Sequence, residues 1–234
     1  MLNLKERSYK KELLDADDIP FDDIKQNMKE LNAVNSLLGG HKITLEGVQK
    51  LISGNNNETL TICEIGCGGG DNLHAIDNWC RKNDIKADFI GIDIKKECID
   101  FAKQQYPLLD ATWIINDYAT VDLTQRKPAV IFSSLFCHHF TNGEIAKMLG
   151  WMKRNSRNGF FINDLHRHPL AYRSIKLLTS LFSKSYLVKN DAPLSVARGF
   201  KKEEWITIFD KASIHPYSIQ WKWAFRYLII CKND

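Results

Sequence analysis

Residues Thr61–His74 read TICEIGCGGGDNLH. An apolar run, Leu60–Ile65, passes through glycine at 66, 68, 69 and 70 and continues into a helical pattern from Asn72. Glycine permits positive φ and removes the Cβ atom, so such a turn lets a ligand lie against bare main chain at a helix N-terminus. The turn on its own implies a nucleotide-like ligand, and two neighbouring residues narrow it. A dinucleotide turn, G-x-G-x-x-G, wants glycine at position 71, where Asp71 stands, and an acid facing a pyrophosphate is unfavourable. Glu64 places a carboxylate just before the turn, which suits a cationic ligand rather than a phosphate. No G-x-x-x-x-G-K-[ST] stretch occurs, so a Walker turn is excluded.

Outward from the turn the chain alternates. Apolar runs at Leu60–Ile65, Ala87–Ile92, Ala111–Ile115, Ala129–Leu135 and Gly159–Ile162 read as buried strands. Helical patterns at Asn72–Lys82, Lys95–Gln105 and Thr141–Arg154 separate most of them, and the last opens on a Thr141–Glu144 capping box. Between Asp117 and Pro128 the helical pattern is weak or missing. The alternation predicts an α/β fold with a parallel sheet, helices on both faces and the ligand along the edge of strand C-termini. An amphipathic helix is expected at Pro169–Phe182, then a loop over 183–199, a helix over about Lys201–Lys211, and strands at Ser213–Gln220 and Ala224–Cys231. The WKW between these strands is too short for a crossover, so they should pair antiparallel. Ahead of the alternation, helices are expected at Phe21–Leu38, stopped by Gly39-Gly40, and at Thr44–Ser53, stopped by Gly54. The reading divides the chain into a helical lid segment, 1–58, and a ligand-binding domain, 59–234, with a helical insertion at about 166–199 that adds to the lid.

The 234 residues are 44% hydrophobic and 26% charged, the balance of an ordinary globule. No apolar stretch approaches the roughly 20 residues of a membrane span, and the charged N-terminus lacks a secretory h-region, so a cytoplasmic enzyme is expected. Six scattered cysteines form no C-x-x-C pair and read as small hydrophobes. The net charge of +4 is mild, but His166–Lys202 carries eight Lys and Arg residues against Asp191 alone. Such a segment meets nucleic acid, an anionic membrane or an acidic substrate, or is simply a solvated surface.

The motif E-x-G-x-G-x-G, at Glu64, Gly66, Gly68 and Gly70, resembles that of the class I S-adenosylmethionine-dependent methyltransferases. The resemblance runs from about Leu60 to the C-terminus. It implies a doubly wound, Rossmann-like sheet of seven strands in the order 3-2-1-4-5-7-6, the last antiparallel, with S-adenosylmethionine as cofactor and S-adenosylhomocysteine as product. That ligand fits the residues: it has no phosphate, a sulfonium cation and an ammonium that wants a carboxylate. By the resemblance, Asp93 takes the ribose hydroxyls, Ile94 packs on adenine, and Asp117 meets the adenine amino group with Asn116 or Tyr118 alongside. Cys67, Asn72 and Ser133 complete the expected cofactor set.

Methyl transfer is an in-line displacement, and a hydroxyl acceptor must lose a proton. Histidine titrates near neutral pH, which makes His138, His139, His166 and His168 the candidate bases, with at least one acting as base or substrate orienter. Tyr172 and Arg198 are the expected substrate contacts, Arg198 orienting an anionic group or the lid. Marks of nucleobase methylation, such as [DN]-P-P-[YF], are absent, and no metal site is expected. The stretches LGGH, NDLHRHPLAY and LSVARGF resemble bacterial natural-product or quinone-type methyltransferases. A small-molecule acceptor is therefore expected, with O-methylation of a phenol or quinone-like compound, in a monomer or homodimer without nucleic acid. Alternatives are an RNA or protein methyltransferase gripping through the basic segment, a non-catalytic cofactor-binding subunit, and a nicotinamide-dependent reductase, which Asp71 and Glu64 disfavour.

Overall fold

The strand runs differ in burial. In β1 (Leu60–Ile65) five of the six residues are buried, and β4 (Val130–Ser134) is buried throughout. Burial on both faces is the mark of a central strand in a parallel sheet. The computed structural model describes residues 4–16, 18–52 and 58–233. Around these two strands stand β2 (Ala87–Asp93), β3 (Ala111–Ile115), β5 (Gly159–Leu165), β6 (Ser218–Lys222) and β7 (Arg226–Lys232), in the order β3-β2-β1-β4-β5-β7-β6. The first five are parallel, and β7 runs antiparallel to both β5 and β6.

Eight α-helices accompany the described sheet: α1 (Phe21–Leu37), α2 (Gly40–Leu51), α3 (Asp71–Lys82), α4 (Lys96–Gln105), α5 (Asn142–Asn155), α6 (Pro169–Phe182), α7 (Tyr186–Arg198) and α8 (Lys202–Ala212). One face of the sheet packs on α5 and α8 through a core including Ile131, Met148, Phe160, Trp205 and Phe209. The other packs on α2 and α3 through Val48, Leu73, Ile76, Phe132, Phe161 and Leu228. Helix α2 thus shares its core with the sheet, and Gly47 lies so close that a Cβ there would sit 2.5 Å from the Phe161 ring. The six cysteines are buried thiols, as small apolar residues are, and burial pushes the Cys80 thiol up to about 11.

Three elements depart from the sequence reading. Most of the loop expected at 183–199 is helix α7, started by Ser185, whose hydroxyl accepts the Val188 amide. Pro193 stands inside it, yet Leu187, Val188, Val196 and Ala197 are buried, and that burial outweighs the lost hydrogen bond. Helix α2 begins at Gly40 rather than Thr44, because Gly39 turns the chain in one residue at φ +75°. The expected end of that helix, Ser53 and Gly54, lies outside the described residues. Strand β6 starts five residues later than Ser213, which itself adopts φ +53° and ends α8. Segment 117–128, expected to lack a helix, holds two short 3-10 turns, Tyr118–Thr120 and Thr124–Arg126.

Candidate active site

The C-terminal ends of β1, β2, β4 and β5 and the start of β7 open into one cavity of about 1070 Å³. Ligand clefts span roughly 300–1,000 Å³, so the space exceeds what one small molecule needs. Its floor is the glycine turn. At Gly66, with φ +66°, a Cβ would stand 2.2 Å from the Phe136 ring. At Gly68, with φ +49°, a Cβ would meet only Met28 Sδ, at 3.7 Å, so it would take up space on the open side. Asp93 is fixed by two amides: Gly68 N donates to Oδ2 at 2.8 Å and Lys95 N to Oδ1 at 2.9 Å. Burial still raises its pKa above the ordinary value. Ile94 is 70% exposed on the cavity wall, an apolar side chain with no protein cover.

Across the floor, two buried ionisable groups keep polar atoms without a hydrogen-bond partner. Glu64 Oε1 accepts from Asn72 Nδ2 at 2.9 Å, while Oε2 has no hydrogen bond. Burial, with Asp71 nearby, pushes the Glu64 carboxyl well above the ordinary carboxylate range. Arg226, the first residue of β7, is 3% exposed, and its Nε and Nη1 have no acceptor. Burial lowers its pKa to about 10, against the pull of Asp164 and Asp71. Its guanidinium sits over the α1–α2 turn, where a Cβ on Gly40 would be 3.1 Å from the Arg226 Cζ. Asn35 lies in the same corner: its Nδ2 donates to Asp71 Oδ2 at 3.2 Å and its Oδ1 is unpartnered.

The chain leaves β4 through Leu135, which holds φ +53°, a conformation costly for leucine. A 3-10 turn, Cys137–His139, follows. His138 is buried with Nδ1 2.8 Å from Asp164 Oδ1, and its Nε2 is 3.6 Å from Glu12 Oε1. His139 pairs through Nδ1 with Asp15 Oδ1 at 3.2 Å, and its Nε2 is 3.8 Å from Glu12 Oε2. Burial alone would raise Asp164; the His138 ring and the Leu165 amide hold it below the ordinary carboxylate value. Burial raises Glu12, and it prevails over His139, Ser195 and Arg198. Glu12, His138 and His139 are spaced closely enough to hold a metal, with Arg198 Nε 4.0 Å from Glu12 as a competing cation.

Residues 4–16 strap this end of the cavity. The Arg7 guanidinium lies 4.0 Å from the Phe200 ring centroid and donates to Arg198 O, Asn142 Oδ1 and Phe140 O at 3.0, 2.6 and 3.0 Å. The amides of Leu13 and Leu14 donate to the Asp191 carboxylate at 2.8 and 2.9 Å.

The structure brings together Glu64, Gly66, Cys67, Gly68, Asn72, Asp93, Ile94, His138, His139 and Arg198 on the cavity wall. Other candidates stand apart from it. Gly70 turns beneath Trp113, and Ser133 is buried beside Cys137 Sγ at 3.4 Å. Asn116 Oδ1 accepts the Asp117 amide, Asp117 caps the next 3-10 turn, and Tyr118 packs edge-on to Phe136 and Trp151. Tyr172 is not among the wall residues. His166 and His168 face a separate depression near Lys201 and Glu203; His166 accepts from Trp221 Nε1 at 3.3 Å, and His168 caps α6. Arg198 is spent on the strap, donating to His138 O and Lys10 O at 3.0 and 2.8 Å. Sequence reasoning missed Glu12, the pairing of Asp164 with His138, and Arg226. Arg226 did carry a signal: it is a lone cation opening the apolar run RYLIIC.

Comparison with known proteins agrees with this geometry. A family model described as "Methyltransferase domain" matches residues 62–159. No curated protein matches. The plantazolicin methyltransferase BpumL, solved with SAH, superposes with a TM-score of 0.67 at 16% identity, over 91% of this chain and 96% of that one. Human N-acetylserotonin methyltransferase, solved with SAM, gives 0.62 at 14% identity, over 91% of this chain and 56% of that one. The CMeT domain of citrinin polyketide synthase gives 0.56 at 12%, over 76% and 47%. The chain has the fold of these methyltransferases, and residues 62–159 are similar to the methyltransferase-domain family. Two of those neighbours were solved with S-adenosylmethionine or its product, the cofactor that the glycine motif implies.

The residues present fit that cofactor. The orphaned Glu64 Oε2 and the orphaned Arg226 N–H groups offer opposite charges inside one cavity, as a zwitterionic methionyl tail requires. The bare floor at Gly68 leaves room that a side chain would fill.

Proposed function

We propose that the protein O-methylates a phenol or quinone-like small molecule, with His138 as general base. The observation that carries this reading is the His138–Asp164 pair, 2.8 Å apart and buried, on the wall of a largely apolar cavity. S-adenosylmethionine, when bound, supplies an electrophilic methyl group. Glu64 would hold its ammonium, Arg226 its carboxylate and Asp93 its ribose hydroxyls, the last as a doubly accepting carboxylate. With Nδ1–H donating to Asp164, the lone pair of His138 lies on Nε2, which accepts the acceptor's hydroxyl proton. Asp164 fixes the ring and stabilises the imidazolium that forms, a role that needs it ionised; its lowered pKa supports this.

Met28, Leu31, Leu135, Phe136, Ile175 and Leu178 give the cavity walls that suit an aromatic or aliphatic body rather than a polar polymer. The strap of residues 4–16 excludes water from the His138 end. The names of the plantazolicin and N-acetylserotonin methyltransferases point to small-molecule acceptors for similar folds. A panel of phenols and quinols with labelled cofactor tests the reading. Turnover of at least one phenol by the native chain, lost in His138→Gln with cofactor binding intact, is the expected result. Equal turnover by His138→Gln removes the base.

A further inference from the structure

Helix α6 is built inside out. Its buried residues are Ala171 and Thr179, both small, while Leu170, Leu177, Leu178, Leu181 and Phe182 face solvent. Leu181 is 66% and Phe182 77% exposed. A surface helix of a water-soluble protein turns its large apolar residues inward. The 3–4 spacing of 170, 174, 177, 178 and 181 places these side chains on one face. Arg173, Lys176 and Lys184 stand exposed beside that face, and none of the three pairs with a carboxylate among the described residues. Glu30, which meets the end of this segment, is occupied by the Ser183 hydroxyl and the Lys184 and Ser185 amides.

The face also borders the cavity. Ser174, Ile175 and Leu178 are wall residues, as are Trp221 of β6 and Trp223 of the β6–β7 turn. Trp223 is 72% exposed and lies against Gly39 of the α1–α2 turn, and Leu37, which ends α1, is 85% exposed. The apolar surface therefore continues from α6 to the rim of the opening.

We infer that α6 and the Trp223 rim dock on an anionic phospholipid surface, with the cavity opening toward the bilayer. An exposed apolar helical face with unpaired cations beside it fits the interface of such a membrane, where the side chains enter the acyl boundary and the cations meet headgroup phosphates. A protein partner would be expected to supply carboxylates for a cationic rim, but nothing else on this surface favours one. The inference rests on the apolar-acceptor reading for its purpose: a lipophilic acceptor dissolved in the bilayer would reach the His138 end without crossing water.

Co-sedimentation with phosphatidylglycerol-rich vesicles and with pure phosphatidylcholine vesicles tests it. The native chain should bind the first, weakly or not at all the second, and less at high salt. Arg173→Gln/Lys176→Gln should weaken partitioning roughly fivefold for each charge removed. Leu177→Gln/Leu181→Gln/Phe182→Gln should abolish it. Calorimetric titration with S-adenosylhomocysteine should be unchanged in both variants, which shows that they are folded. Failure of the native chain to bind anionic vesicles, or binding indifferent to both variants, overturns the inference. So does a native dimer that the triple substitution dissociates without any vesicle binding, since a second copy then covers the face. If soluble phenols turn over but vesicles are not bound, the membrane inference falls alone; if vesicles are bound but no phenol turns over, the acceptor reading falls alone.

Discussion

Replacing Arg226 with methionine should move stability and cofactor affinity in opposite directions. The guanidinium is buried with Nε and Nη1 unpartnered, and its pKa is depressed to about 10 by that burial. A buried polar group left unsatisfied costs about 1–3 kcal/mol. Methionine keeps the length and removes the penalty, so Arg226→Met should stabilise the ligand-free protein by about 1 kcal/mol. The low end is expected because Asp71 and Asp164 lose a favourable charge nearby. In a chain of this size that amounts to roughly 2–4 °C in the melting temperature. In the complex the same side chain would hold the methionyl carboxylate, and a hydrogen bond between charged groups contributes about 1.5–3 kcal/mol. Affinity for S-adenosylhomocysteine, which keeps that tail, should therefore fall roughly ten- to a hundredfold. Calorimetric titration and a thermal melt of the same preparation read both effects. A variant that binds the product as the native chain does, and that melts lower, would show Arg226 to be a structural cation and refute the assignment.

Cofactor binding should release a proton. Burial raises the free Glu64 carboxyl well above the ordinary value, and an arriving ammonium favours its charged form, so binding should lower that pKa and release protons between the two values. Titration in buffers of different ionisation heat, over a range of pH, should show this release and its loss in Glu64→Gln. By the same sign, the ligand-free protein should lose stability as pH rises above 4.5, where unfolded Glu64 ionises and folded Glu64 does not. Asp15 works the other way. Its pKa falls from 3.8 to about 2, since its hydrogen bond and charge contact with His139 prevail over burial. Its contribution is present above pH 3.8 and lost as pH falls through about 2, so acid melts of Asp15→Asn should converge on the native curve there. His138→Gln should lower kcat by roughly a hundred- to ten-thousandfold, the range of general-base catalysis, while the product's dissociation constant stays put. Asp191→Ala orphans the Leu13 and Leu14 amides, and limited proteolysis should then cut within residues 4–16 at protease concentrations that spare the native chain.

The parallel sheet was legible because buried runs in β1, β2 and β4 alternate with helical periods, while its strand order came from the resemblance carried by the glycine motif. The cofactor floor was legible because Glu64, Gly66 and Gly68 are neighbours in the chain and Asp93 ends the next strand. Helix α7 was not, because Pro193 and the polar KND stretch weaken the local signal, and the burial that overrides it comes from the rest of the fold. Among four histidines the sequence offered no choice. The fold separates them: it brings Asp164, 26 residues beyond His138, to Nδ1 and turns His166 and His168 to another surface, and the proposed role of His138 rests on that placement.

By itself, then, the chain of residues determined which runs form buried strands and where main chain is bare. Those properties depend on spacing of a few residues, which the covalent chain sets directly. Tertiary structure alone decided that Arg198 is spent on carbonyl groups of the strap and the His138 turn, that Arg226 Nε and Nη1 are left without an acceptor, and that the small side of α6 faces inward. These are questions of which charge or apolar surface is satisfied. Their answers lie with atoms distant in sequence, as Arg226 and Gly40 or Glu12 and His138 are, and only packing brings them together.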